Sequence, residues 1–304
     1  MRRSAVLAAL VAFGLGAIGL TAAQRPAAPR VVDIDKLGDN LYMLRGGGGN
    51  TAAFVTATGV VLVDTKLPGW GQPLLDAVKT ITDRPVTTVI NTHTHFDHTN
   101  GQVEFPPTVD IVAHEHTKTY MEQANPVYGL QSGPQPNPFK DAGGRGYPKR
   151  TFADRMTIGT GAERVELYYF GRAHTGGDAY VVFPAHRTMH VGDTFPTKDL
   201  PIIDVNNGGS AVTFADTLAA AAAVPGVDVI INGHTDKPTT RADLEEYAAF
   251  VRAFVSTMQE AKKAGRTIDE AIASWQTPPT FAGYAKPNPA RVKANAEIVW
   301  KETP

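Results

Sequence analysis

The sequence predicts an α/β sandwich, with sheets covered by helices. Three observations point there. Residues 31–64 read as strand after strand. Beyond residue 70, strands and amphipathic helices mix. No linker interrupts the middle of the chain. With 304 residues and a hydrophobic fraction of 42%, the chain is long enough to bury a sizeable core. The expected organisation is an export signal over 1–23, a Pro/Ala linker over 24–30, and one domain over 31–304 that closes with C-terminal helices.

The N-terminus sets the first boundary. Arg2 and Arg3 precede an apolar run from Ala5 to Leu20, and the small residues Thr21, Ala22 and Ala23 follow. This is the charged, apolar and small-residue pattern of a secretory signal, which predicts a periplasmic or secreted protein with no stable membrane span after cleavage. VVDID and NLYMLRG then alternate, the latter placing Tyr42 and Leu44 on one face. TAAFVTA and VVLVDT are apolar runs split by a Thr-Gly turn. GGGGN, Gly46 to Asn50, reads as a flexible loop; it lacks the lysine and following helix of a phosphate cradle. GWGQPLLDAVKTI has helical spacing, with Leu74, Leu75, Val78 and Ile81 on one face.

VTTVINT and DIVAHEH are the next strands. Residues 125–150 are irregular, with Pro126, Pro134, Pro136, Pro138 and Pro148 among glycines. A loop this long is either a lid or binding loop, or a surface insertion. RVELYYF, AYVVFP and TMHVGDT return to strand, SAVTFADTLAAAAAV is a helix beginning at Ser210, and VDVIING is a short buried strand. A long amphipathic helix follows, capped at Thr240 or its neighbour and ended by Gly265; a further helix starts near Thr267. Trp275, Phe281, Tyr284 and Trp300 are expected to pack the tail against the body.

Chemistry concentrates at strand ends. NTHTHFDHTNG, residues 91–101, holds three of the nine histidines. Imidazoles this close repel one another once protonated, so a metal ion is the obvious reward for the crowding. In an extended segment His93 and His95 point the same way, while Asp97 and His98 follow where the chain turns. Later strands end at His174 in a glycine-rich turn, at Asp193 after Gly192, and at His234 after Gly233. Strand ends gathered at one sheet edge are where α/β folds place their chemistry. Five imidazoles and two carboxylates without sulfur suit two divalent ions, most simply Zn2+, with iron and manganese as the other candidates.

These motifs resemble those of the metallo-β-lactamase superfamily. His93-Thr-His-Phe-Asp-His98 matches its HxHxDH motif, and GRAHTGGD, HVGDT and INGHTD follow in the family's order over about residues 31–240. The resemblance implies the αββα four-layer sandwich with the metals at one edge. It implies that His93, His95 and His174 bind one ion, that Asp97, His98 and His234 bind the second, and that Asp193 bridges them, as in glyoxalase II-like and lactonase-like members. β-Lactamases with a cysteine ligand carry it where Asp193 stands, and this chain has no cysteine. The reading therefore shifts toward lactones, thioesters or other esters, with β-lactams retained.

The expected chemistry is hydrolysis. Two ions about 3.5–4 Å apart share a water and lower its pKa toward neutrality, and the resulting hydroxide attacks a carbonyl. Asp97 and Asp193 are the catalytic candidates: both reduce the repulsion between the ions, and Asp97 is also placed for proton transfer. Tyr128, Tyr147, Tyr168 and Tyr169 read as packing residues. Asp64 and Asp178 each either orient a ligand histidine or cap a turn. His114 and His116 lack a following Asp-His and read as supporting or surface residues; His186 reads as exposed, and His190 as core or supporting. The alternatives are an iron-dependent oxygenase of the same fold and a non-catalytic metal-binding protein of the cell envelope. With a net charge of −1 and no basic block, a small-molecule substrate is expected and nucleic acid is not.

Overall fold

The structure, a computed structural model, describes residues 30–304. The export signal expected over 1–23 lies outside them, as does all of the expected linker except Arg30. Among the described residues no helix is long and apolar enough to cross a membrane.

The first sheet has seven strands in sequence order: β1 (Asp33–Lys36), β2 (Leu41–Arg45), β3 (Thr51–Thr56), β4 (Gly59–Val63), β5 (Val86–Ile90), β6 (Asp110–His114) and β7 (Arg150–Phe152). Its first four strands form an antiparallel meander, and β4 to β7 pair in parallel. The crossovers are α1 (Gly71–Ile81), then the short α2 (Phe96–Thr99), and after β6 the helices α3 (Glu115–Gln123) and α4 (Pro138–Asp141). The second sheet runs β13-β12-β11-β10-β9-β8. These strands are β8 (Arg155–Ile158), β9 (Val165–Tyr168), β10 (Tyr180–Phe183), β11 (Thr188–Gly192), β12 (Val229–Asn232) and β13 (Thr239–Thr240). Helix α5 (Ala211–Ala222) links β11 to its parallel neighbour β12. After β13 come α6 (Arg241–Lys263), α7 (Ile268–Ser274) and α8 (Pro289–Glu302).

Alternation along the strands builds the layers. Leu41, Met43, Phe54, Val61 and Val63 meet Leu167, Val181, Phe183 and Ile231 between the sheets. Their neighbours Leu44, Ala53, Val60 and Leu62 face outward onto Leu74 and Val78 of α1. On the far side Tyr180, Val182, Met189 and Ile230 pack against α5 and α6 through Phe214, Leu218, Phe250 and Phe254. Both faces of each sheet are covered, so strands that read as near-continuous apolar runs are still period-two elements. The result is the αββα sandwich.

The predicted Tyr42/Leu44 face and the α1 face are both present. Ser210 is the residue before α5, and Thr240 caps α6 with Asp243 in a reciprocal capping box. Thr267 does the same for α7 with Glu270. Reading DIVAHEH as strand overruns it: the chain leaves β6 at His114, whose ring accepts from His116 N as the cap of α3. Helix α8 and the short strands β7, β8 and β13 were not anticipated.

Candidate metal centre

Two short turns at the ends of β4 and β5 build the base of the centre. Asp64 follows β4 with φ +66 and Lys66 with φ +75, both rare conformations for residues with a Cβ. After β5, Asn91 and Gln102 exchange side-chain amide hydrogen bonds of 2.7 and 3.1 Å, closing the histidine loop at its root. The loop is bent rather than extended over Thr92–Thr94, and His95 precedes the single turn of α2. His93 and His95 therefore converge through the bend, while Asp97 and His98 project from α2.

The second sheet supplies the remainder. His174 lies in the turn between β9 and β10, Asp193 just after β11, and His234 just after β12. Close packing leaves no room for side chains beside them. A Cβ at Gly233 would overlap the Asp193 carboxylate, and one at Gly192 (φ +53) would sit 2.7 Å from the Thr92 hydroxyl. Backbone contacts join the two sheets here: Asn50 N donates to Gly233 O at 2.6 Å, and Ala179 N to Thr92 O at 2.7 Å.

All seven expected ligands come together. His93, His95, His174 and Asp193 offer donor atoms within 4.8 Å of one another, and so do Asp97, His98 and His234. Asp193 stands between the two sets: its Oδ1 is 3.3 Å from His98 Nε2, and its Oδ2 is 3.2 Å from His234 Nε2 and 4.0 Å from His174 Nε2.

The outer edges of the rings fix which nitrogen faces inward. Thr92 donates its hydroxyl to Asp64 Oδ2 at 2.7 Å, so Thr92 Oγ1 is left to accept from His93 Nδ1 at 2.9 Å. His95 Nε2 donates to Asp204 Oδ2 at 2.7 Å, His174 Nδ1 to Ile202 O at 2.8 Å, and His98 Nδ1 to Asp64 Oδ2 at 2.7 Å. With those protons placed outward by the network, the inward nitrogens of His93, His95 and His174 carry lone pairs. His95 Nδ1 and His174 Nε2 face each other at 3.0 Å, and His93 Nε2 is buried with no partner. Lone pairs and carboxylates crowded without protons between them are what a cation relieves, and nitrogen and oxygen donors of this kind suit divalent ions.

The electrostatics agree. Burial, followed by the neighbouring imidazoles, holds His93 well below the usual histidine range, and His174 is pushed down to about 4 by burial and then by His95. Burial also opposes charge on His98, but Asp193, Asp97 and Asp64 outweigh it and raise that imidazole well above its usual value. Asp193 is held well below the carboxylate range: burial opposes this, and His98 and His234 overcome it. A divalent ion bound here would compete with protons for these donors, so binding would release protons.

Asp64 resolves as the residue that orients His98, while Asp178 caps its turn, accepting from Thr175 N and Oγ1. His114 donates to Ala153 O at 2.7 Å and stacks on Tyr169, and His116 bonds Gly176 O; neither joins the centre. His190 is buried beneath Asn50, and His186 is half-buried beside Phe54. Tyr128, Tyr147, Tyr168 and Tyr169 bond Glu297, Asn137, Glu166 and Gly176, away from the ligands.

Two residues escaped the sequence reading. Asp204, which holds His95, also accepts from Tyr128 N and Asn207, yet its IIDVNNGG context reads only as a turn. Lys66 is fully buried and donates to Leu44 O and Gly49 O, both at 2.6 Å. It ties down the Gly46–Asn50 loop, whose Gly49 packs directly on the His98 ring, so this loop is a fitted part of the wall rather than a free one. Beside His95, the 125–150 segment roofs a cleft with Phe96 and Tyr120 on its walls.

The described family of metallo-beta-lactamase superfamily proteins matches residues 44–244. Among curated proteins, the alpha subunit of 2,4-dinitroanisole O-demethylase from Nocardioides sp. (strain JS1661) is 29% identical over 158 residues, 51% of this chain and 43% of that one. The chain thus spans less than half the length of this relative. Among solved structures, a metallo-beta-lactamase from Pontibacter korlensis matches with a TM-score of 0.59 and 18% identity, over 73% of this chain and 99% of that one. The sec-alkylsulfatase Pisa1 from Pseudomonas sp. matches with a TM-score of 0.66 and 16% identity, over 88% of this chain and 50% of that one.

Proposed function

The chain belongs to the metallo-β-lactamase superfamily, and from that premise we propose that it is a metal-dependent hydrolase of carbonyl esters. Lactones, thioesters and β-lactams lie within the same reach. The observation that carries the reading is the convergence of inward imidazole lone pairs around the Asp193 carboxylate. His93, His95 and His174 would hold one divalent ion, Asp97, His98 and His234 the other, and Asp193 both; zinc fits the donors, as do iron and manganese. When bound, such ions supply Lewis acidity and a nucleophilic water at neutral pH.

The protein's own contribution is position and charge. Thr92, Asp64, Asp204 and Ile202 O fix the rings from outside, so little reorganisation accompanies reaction. Asp97 is partly exposed, with Oδ2 3.4 Å from His234 Nε2, and is the carboxylate best placed to pass a proton to a leaving group. Asp193, buried between the two donor groups, would be the charge that lets two cations sit together.

The O-demethylase relative places aryl methyl ethers beside esters in the panel to be tried. Elemental analysis is expected to find up to two ions per chain. His95→Ala and Asp97→Ala are expected to abolish hydrolysis while circular dichroism stays native. Full activity of metal-free protein across lactones, thioesters, esters and β-lactams would overturn the reading. Iron content with oxygen consumption in place of hydrolysis would favour the oxygenase alternative; occupied metal with neither activity would favour a metal-binding role. The N-terminal Arg-apolar-small pattern supports export to the periplasm or medium, which N-terminal sequencing of the mature protein tests.

A further inference from the structure

The cleft beside His95 has a composition that bears on what enters it. It is roofed by the 125–150 segment, and its volume of about 190 Å³ compares with roughly 150 Å³ for an apolar cavity that accepts benzene. That is room for one ring or a short alkyl chain. Phe96, Met121 and Val127 give it apolar wall, and its polar wall is made of carboxamides, a threonine, a phenol and, at one end, the His95 imidazole. No Lys, Arg, Asp or Glu lines it among the described residues.

Tyr120 is the notable polar member. Its ring lies in a slot between Gly176 and Gly208, where a Cβ at either position would press on it, Gly208 holding φ +82. The slot therefore depends on glycine, and on the turn that carries His174. The nearby carbonyl of Gly176 is already taken by His116 and Tyr169, which leaves the Tyr120 hydroxyl unpartnered among the described residues. Gln131 uses its oxygen to accept from Val127 N, leaving its NH2 group, and Asn207 uses its NH2 on Asp204, leaving its oxygen. The polar capacity left over carries no side-chain charge and includes donors, on Tyr120, Gln131 and Asn100, as well as acceptors, on Asn125, Gln135 and Asn207.

We infer that this cleft is the specificity pocket for a neutral, single-ring or short-alkyl group of the substrate, with Tyr120 donating to an acceptor oxygen on it. The inference rests on the hydrolase reading for its context and deepens it. Away from the His95 end of the cleft no Lys or Arg replaces the hydration that an anionic group would give up, whereas a carbonyl, ether or nitro oxygen asks only for a donor. Polar groups in largely apolar pockets set orientation in this way.

The test separates binding from turnover. In calorimetry on the metal-loaded protein, 4-methoxyacetophenone is expected to bind at least about 10-fold more tightly than 4-methoxybenzenesulfonate. Tyr120→Phe is expected to weaken the neutral probe by about 3- to 10-fold, as loss of one hydrogen bond does, with the thermal midpoint unchanged. Gln135→Arg, which puts a cation on the lining, is expected to narrow the gap between the probes. Equal or tighter sulfonate binding in the native protein, no binding of the neutral probe, or indifference of that probe to Tyr120→Phe overturns the inference. In kinetics, kcat/KM for 4-nitrophenyl butyrate is expected to exceed that for the 4-nitrophenyl hemisuccinate. No turnover of any ester counts against the hydrolase reading, and calorimetry then decides the pocket.

Discussion

Asp64 sits at φ +66, a conformation few residues other than glycine adopt, and from there one carboxylate accepts from Thr92 N, Thr92 Oγ1 and His98 Nδ1. Asp204 plays the matching part for His95. The two aspartates thus stand behind different halves of the ligand set. Asp64→Asn keeps the size and tolerates the left-handed backbone, but it removes the charge behind His98. It is expected to cost about 10- to 100-fold in affinity at the Asp97/His98/His234 position. Chelator competition should show one weakened ion and one nearly unchanged; equal loss at both would sink the division. Asp204→Asn is expected to do the reverse, weakening the His93/His95/His174 position. At this scale the seven candidate ligands were legible because motif spacing carries them. Asp64 was half legible, since it ends a strand beside the cluster. Asp204 and Lys66 were not: an aspartate before Asn-Asn-Gly looks like turn chemistry, and a lysine reads as solvated until its carbonyl partners are known.

Among the elements, the glycine loop between β2 and β3 carries the tightest fit. A Cβ at Gly49 would overlap the His98 ring, and Lys66 prevents the loop from backing away. Gly49→Ala is therefore expected to lower affinity at the His98 position by about 10-fold or more, an effect on the order of displacing a supporting group, with a native circular dichroism spectrum. Strand β11 supplies a pH test. His190 is fully buried, donates to Asn50 O, accepts from Gly192 N, and is pushed down to about 4 by burial. Its folded value lies below the ordinary 6.5, so the unfolded chain binds the proton first. Stability from this group is whole above about pH 6.5 and is lost as pH falls toward 4, by about 3 kcal/mol in total. His190→Gln should flatten that part of the profile in urea unfolding at pH 7 and pH 4.5; an unchanged slope would contradict the account. Elements with strong periodicity were legible, α1 by its apolar face alone and α6 by its face together with its cap at Thr240. Helix α3, EHTKTYMEQ, was not, because it buries only Thr117 and Met121 and shows little apolar face. The flexible reading of Gly46–Asn50 failed for a related reason: composition describes chain freedom, not the neighbours that remove it.

At the level of the whole molecule, the centre lies on the seam between the sheets. His93, His95, Asp97 and His98 hang from the first sheet, and His174, Asp193 and His234 from the second. The interior between the sheets is apolar and would hold them together by itself. At this edge, however, the buried imidazoles of His93, His95 and His174 crowd one another, and their burial without cations works against that packing. Cations would reverse the sign, because each would draw ligands from both sheets. Since the site exists only in the folded chain, binding is linked to folding: at about 1,000-fold excess over the dissociation constant it adds ~4 kcal/mol. For a domain of this size, about 2 °C per kcal/mol makes that roughly 8 °C in thermal midpoint. Chelation is therefore expected to lower the midpoint by about that much, and zinc to restore it. The same chelation applied to Asp193→Ala, which lacks the carboxylate standing between the two donor groups, should move the midpoint far less. A native protein whose midpoint ignores chelation while its ions are shown to leave would mean that the seam is held by the apolar interior alone, and that the ligands are displayed by the sandwich without helping to close it.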